Sequence, residues 1–560
     1  MTRCLLAMAL VLYGCGDDTA ETTATPGATT SSTGGSAGSG GTGPVGDLTG
    51  EVSHITYRFD LATGSAESTL ALDVTPPGGD CYGVSCAIEV SSVTWNGAPA
   101  TSSAVDMGTL HACGTSVAET LTLGSAAMVP EQTFFGLDVG LSRRPSMGGG
   151  TFTYLLSWVG GCDLFGPCDD DPALLTAFDF EVTHPSGTTV LCPGTVEPGD
   201  TLTRCTLDGT LAPTYSAFAI AADDNWQKTN FTSAAGVSLV FYEAPGGALA
   251  ASLEVTRVQE FMTWVTGLLG VYPYGNELRI ASGPTAWLGF EHPGNIVLLD
   301  ELPTIPTSYS DATMHVFMHE VVHQWAGDRT TLASVQDFVW KEAIAEYLAY
   351  VFEDEQGPPG EALATRTYWD NVAVQAEYYP RPTDDPAPPV HIFYGDVYGP
   401  GPMTLFVQLE PFVGRATVLE AIAAFLSSPG ARSVDDLRAA LEQASGEDLQ
   451  YYFDTWVVGS GAPTWPAFTA NVMQTGDQVN VTLTQTTGAP HPCRVQVQVA
   501  GATTSAIALV DFGLHPTSAV ASATVTLAEP VVTVTIDPNH QVINTPMGTA
   551  ASEPLPVWIF

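Results

Sequence analysis

Between residues 319 and 342 the chain reads HEVVHQWAGDRTTLASVQDFVWKE, a stretch holding His319, Glu320, His323 and Glu342. On a helix, two histidines four apart differ by about 40° in azimuth, so both imidazoles leave the same face. That spacing lets them hold one ion while Glu320, next to the first histidine, stays free to act as a base toward water. A catalytic zinc site takes three protein ligands and keeps one position open, so a third ligand is required. Eighteen residues lie between His323 and Glu342. They are enough to finish one helix, turn and begin another, which would present Glu342 to the first helix. Glu346, one turn further on, is placed to orient a ligand histidine from behind.

The same residues resemble those of the aminopeptidase N-like zinc peptidases, whose pattern is HExxH, eighteen residues and then Glu, typically written HELAHQWFGD and NEGFAEY. Here HEVVHQWAGD and KEAIAEY stand in those places, with Lys341 where the family has Asn and Ala343 where it has Gly. Thermolysin-like enzymes share the helix but use a gap one residue longer. Three further segments resemble the family in part. Leu288-Gly289-Phe290-Glu291-His292-Pro293-Gly294 is similar to GAMENPG, where the Glu grips a substrate's free amino group. The resemblance therefore implies a substrate-binding role for Glu291. Tyr398-Gly399-Pro400-Gly401-Pro402 is similar to Tyr-x-Lys-Gly-Ala, which implies an oxyanion-binding tyrosine at Tyr398, with Pro400 in the place of the Lys. PCDDDPALLTAFDF at 167–180 is similar to PCFDEPAFKATFDL, near the end of the family's amino-terminal β domain. Read without the family, its acidic run is a solvated turn or a weak calcium loop.

These groups need rigid elements to carry them. Ser310 or Asp311 would cap a helix that runs to Gly327, and a second helix is expected from Ser334 to Phe352. Between 353 and 397 a loop rich in Pro and Asp is expected, forming a rim over the cleft. Upstream, Ile55, Tyr57, Phe59 and Leu61 alternate, as do Leu70, Leu72 and Val74, in the manner of strands with one buried face. After about 223 helical spacing takes over (Leu253, Val258, Phe261, Val265, Leu268). Ser433 with Asp436 makes a capping-box pattern, and 403–456 reads as a small helical bundle. Alternation returns at Val479, Val481 and Leu483, at Val495, Val497 and Val499, and at Val532, Val534 and Ile536. The fold class expected is multidomain α+β. A β-rich domain spans 48–222, and a catalytic domain, thermolysin-like by the family resemblance, spans 223–462. A small β-sandwich at 463–545 and a tail at 546–560 complete it.

Composition bounds the rest. The 560 residues carry a net charge of −44 with only 16 Lys and Arg, too few basic groups for nucleic-acid binding. Residues 1–15 have the form of an export signal: Arg3, then an apolar run to Tyr13, then Gly14 and Cys15. Leu12-Tyr13-Gly14-Cys15 resembles a bacterial lipobox, which implies a lipid anchor on Cys15. The Thr/Ser/Gly stretch at 16–47 cannot bury a core and reads as a tether. In an exported chain the eight cysteines beyond Cys15 suggest disulfides, with Cys81–Cys86, Cys162–Cys168 and Cys192–Cys205 as near-neighbour pairings.

The export signal and the lipobox resemblance thus imply an exported, lipid-anchored protein of the cell envelope, and the family resemblance implies an enzyme. It would hold one Zn²⁺ on His319, His323 and Glu342 and hydrolyse peptides, most readily as an aminopeptidase. An endopeptidase or oligopeptidase with the same zinc site, and a surface module that binds without catalysis, are the alternatives.

Overall fold

The computed structural model describes residues 47–545, apart from 77, 135–136, 158, 160, 208–217, 286–287, 306–308 and 385–400. The signal, almost all of the tether, Tyr398 and the tail therefore lie outside the described residues. In the amino-terminal part an eight-stranded sheet has Gly50–Asp60 at its centre, antiparallel to Ser65–Val74 and parallel to Ala177–Thr183. The alternation read from sequence points the right side chains inward: Ile55, Tyr57, Phe59, Leu70 and Leu72 are all buried. Tyr57, Phe59, Phe180 and Phe218 stack into one aromatic cluster beneath the sheet. Two disulfides join Cys162 to Cys168 and Cys192 to Cys205, and a third joins Cys81 to Cys113. The pairing of Cys81 with Cys86 is thus corrected. Cys81 opens the strand Cys81–Ser85 and Cys86 follows its end, so at about 3.3 Å per residue the two lie some 16 Å apart, beyond disulfide reach. Cys81 instead sits directly opposite Cys113 on the neighbouring strand, and Cys86 is a free, buried thiol.

Strands do not give way to helices at 223. Gln227–Ala234 and Val237–Glu243 open a five-stranded sheet that continues with Glu277–Gly283 and Asn295–Leu299 and ends on the edge strand Gly289–His292. The helix Val255–Leu269 makes the crossover between two parallel strands of this sheet and stops at Gly270. Two further helices lie beyond the edge strand. The first, here the histidine helix, is Ala312–His323, capped by Asp311, whose carboxylate accepts from the Met314 N–H. It ends four residues before Gly327. The second, the glutamate helix, is Phe338–Gln356 and runs four residues past the expected end. The segment expected as a rim loop contains a third helix, Glu361–Ala373. Its start is set by Gly360, whose φ of +93° ends the Gly357-Pro358-Pro359 turn. The β domain touches this region through the acidic turn: the Thr331 hydroxyl, between the two site helices, donates to the Pro172 carbonyl at 2.9 Å.

The helices of 403–456 include the capping box at Ser433 and Asp436. After them come two three-stranded sheets with Val479, Val481, Leu483, Val495, Val497 and Val499 between them. Val532 and Val534 depart from the expected inward alternation and are exposed: Val532 precedes the strand Thr533–Ile536, and Val534 lies on that strand at a sheet edge.

Candidate metal centre

Three histidines, His315, His319 and His323, recur every four residues along the histidine helix and face Glu342, Glu346 and Glu353 on the glutamate helix. All six are buried. At one end, His323 Nε2, His319 Nε2 and Glu342 Oε2 converge. The two nitrogens are 2.9 Å apart, and the carboxylate oxygen is 3.2 and 3.3 Å from them. His323 Nδ1 lies 2.9 Å from the Ala326 carbonyl, which can only accept, so the proton sits on Nδ1 and Nε2 presents a lone pair. Burial, and then the Lys341 charge, hold His323 below its usual pKa and therefore neutral. His319 Nδ1 lies 3.1 Å from Glu346 Oε1. Burial pushes His319 down, but the Glu342 and Glu346 carboxylates outweigh it and bring it to about 10.

Two nitrogens and an anionic oxygen crowded at these distances, with no apolar or donor group between them, are a donor set for a cation. At metal–ligand bonds of about 2.0–2.2 Å, tetrahedral ligands stand roughly 3.3 Å apart, close to the spacing found. Glu291, Glu320 and His323 form a second cluster within 4.8 Å. We assign the ion to the first. It supplies two imidazoles rather than one. The residues fit zinc.

Glu320 stands beside this set without joining it. Its Oε2 is buried and has no hydrogen-bond partner among the described residues. Burial holds its pKa well above the usual carboxylate range, with Glu291 and Glu342 pushing the same way. Room for it comes from Gly289 on the edge strand, where a Cβ would overlap Glu320 Oε1. Gln324 fixes that strand to the helix. Its Oε1 accepts from the Gly294 N–H and the Tyr272 hydroxyl, both at 3.0 Å, and its amide donates to the His292 carbonyl at 3.2 Å. Sequence reasoning named Glu320 but passed over Gly289 and Gln324. Their signal was only their presence inside HQW and LGF, since close approach between a strand and a helix has no periodicity of its own.

Glu291 lies on the edge strand, and Lys341 meets it: Nζ is 2.6 Å from Glu291 Oε1 and 2.7 Å from Glu342 Oε1. Glu291, the carboxylate expected from sequence to bind an amine, is held here by a side chain of the protein itself. Behind the ligands, His315 is gripped on both nitrogens, by Glu353 at 2.6 Å and Glu346 at 3.0 Å. Trp369 donates to Glu346 at 3.1 Å and Thr365 to Glu353 at 2.7 Å, both from the unexpected third helix. Burial alone would push Glu346 up, but His315 and His319 bring it down to about 2. The role in orienting a ligand expected for Glu346 thus has a partner in His319. His315 was missed, although its four-residue step before His319 was visible.

Residues 288–456 match the model of the peptidase family M1 domain. This segment is thus similar to the family M1 peptidase domain. The matched segment holds Glu291, all three candidate ligands and Glu320. Over 192 residues the chain is 27% identical to probable aminopeptidase 1 of Sulfurisphaera tokodaii, covering 33% of this chain and 23% of that protein. Over 317 residues it is 23% identical to aminopeptidase N of Streptomyces lividans, covering 52% of this chain and 36% of that one. The matched regions thus span about a quarter to a third of these relatives' lengths. The fold resembles that of Legionella pneumophila aminopeptidase A, solved in complex with aspartic acid. The TM-score is 0.67 at 16% identity, with 90% of this chain and 60% of that one covered. The likeness in fold therefore takes in the β-rich parts on either side of the matched segment as well as the segment itself.

Proposed function

We propose that this protein is a zinc-dependent peptidase that removes amino-terminal residues from peptides. The observation that carries the reading is the convergence of His319 Nε2, His323 Nε2 and Glu342 Oε2 beside the unpartnered carboxylate oxygen of Glu320. His319, His323 and Glu342 would hold one zinc ion. What such an ion supplies when bound is Lewis acidity, toward a scissile carbonyl and toward water. Glu346 and the Ala326 carbonyl keep the two imidazoles turned with Nε2 inward. Glu320 takes a proton from water on Oε2 and returns it to the leaving amine, the ordinary work of a general base that becomes a general acid. Tyr398, on sequence resemblance alone, would donate a hydrogen bond to the oxyanion.

Zinc-loaded protein should hydrolyse fluorogenic aminoacyl amides, lose activity with a chelator and regain it with zinc. Tyr398→Phe should lower the rate about 10²–10³-fold with zinc retained. Cleavage confined to the interior of an amino-terminally blocked, internally quenched peptide would give the endopeptidase reading instead. No hydrolysis with zinc bound would leave a binding module. The Lys341–Glu291 pair favours the endopeptidase alternative, since it occupies the group that would recognise a free amine. Export and anchoring at Cys15 are likewise proposed from the sequence. Among the described residues no helix is long and apolar enough to cross a membrane. Cys15→Ala should release the protein from the membrane fraction.

A further inference from the structure

Lys341 lies in the first turn of the glutamate helix, which is buried from Phe338 to Glu353, and is itself only 4% exposed. Burying an ammonium is costly unless it is paired and hydrogen-bonded. Here it is paired twice, with Glu291 on the edge strand and with Glu342, one of the candidate zinc ligands. The backbone leaves a path for its stem. Gly327 has a φ of +130°, and a Cβ there would come within 2.6 Å of Lys341 Cε. Two carboxylates thus hold one ammonium in direct contact, and its charge also acts on the buried carboxyls of Glu320 and Asp328. Such a cluster is built to accept a cation, and the chain supplies that cation from its own helix.

We propose that Lys341 is a tethered stand-in for a substrate's α-ammonium, holding the Glu291 carboxylate so that the site selects only weakly for a charged amino terminus and accepts peptides with a blocked, uncharged one. The proposal rests on the reading of Glu291 as the amine-binding group of a peptidase. A tethered ammonium competes at a high effective concentration, and it forms its pair without the translational cost that a free ligand meets. An incoming amine must therefore displace Lys341, which can fall back on Glu342 alone. Lys341 thus sets specificity, while the chemistry stays with the metal ligands and Glu320.

The test is calorimetric binding of phenylalaninamide and N-acetylphenylalaninamide to the zinc-loaded full chain. Zinc content and peptide turnover are measured alongside. Wild type should bind the two within about tenfold. Lys341→Asn and Lys341→Met should tighten the free amine by about tenfold or more and leave the acetylated ligand unchanged, at the low end for a desolvated charge pair. Adding Glu291→Gln to either variant should remove the gain, since the two changes act on one pair. A wild-type preference above about 100-fold for the free amine, or an unchanged ratio in both variants, overturns the proposal. Loss of zinc from both variants also overturns it, by making Lys341 a support for Glu342 only. Tightened amine binding with no peptide hydrolysis in any variant sinks the peptidase reading and leaves the role of Lys341 standing.

Discussion

The two ends of the histidine–glutamate helix pair use the same residue types to opposite ends. At the His315 end each imidazole nitrogen has its own carboxylate, and the third helix adds Trp369 and Thr365 as donors. Charge and hydrogen bonding are satisfied there, and nothing is left for a ligand. At the His323 end the two imidazole Nε2 atoms and Glu342 Oε2 crowd together, with a lone pair on His323 Nε2, and Glu320 Oε2 has no partner among the described residues. What separates a structural cluster from a reactive one is therefore the balance of donors to acceptors rather than composition. An excess of acceptors calls for a cation.

The largest effect is expected at the unbalanced end. His323→Ala should abolish tight zinc binding and activity together, since two ligands cannot close the site, and full zinc occupancy in that variant would reassign the ligands. Glu320→Gln should keep zinc while lowering turnover by about 10²–10⁴-fold or more. Metal analysis beside kinetics checks this, and a turnover near wild type would remove Glu320 from the chemistry. His315→Gln attacks the balanced end. It leaves Glu346 and Glu353 without their shared cation, a change that typically costs roughly 3–5 kcal/mol for a buried pair. Zinc affinity should fall about 10–100-fold through the lost support of Glu346. Equal stability and zinc affinity in this variant would erase the distinction between the two ends.

A pH series sharpens the same comparison. Burial lowers the His315 pKa, but Glu353 and Glu346 more than offset it and hold it at about 10. A folded pKa above the unfolded value of about 6.5 stabilises fully below that value, and the contribution is lost as pH rises through about 10. The melting temperature of wild type should therefore fall across that window, and His315→Gln should flatten the slope. An identical slope in the two proteins would mean that His315 is not held charged.

Much of this was legible because local rules governed it. The four-residue step of His319 and His323 follows from helix geometry alone, and the buried alternation of Ile55, Tyr57 and Phe59 follows from the pleat. The Asp311 cap and the Ser433 capping box are likewise read from neighbouring residues. The helix Glu361–Ala373 was hidden by the Pro-rich sequence on both sides of it. The Cys81 partner was hidden because disulfides join residues across strands, and strand pairing is not written in spacing.

Sequence alone determined which groups could form the reactive set, because residue type and helical period decide which side chains share a face. Tertiary structure decided how they are used. Whether Glu291 meets a substrate or Lys341 depends on how close the edge strand comes to the glutamate helix. Gly289 and Gln324 set how the strand lies against the histidine helix, and Gly327 leaves room for the Lys341 stem, through contacts between residues that lie apart along the chain. Coulombic and hydrogen-bond energies fall steeply over an ångström or two, so the pairing that fixes each charge exists only once the elements have packed.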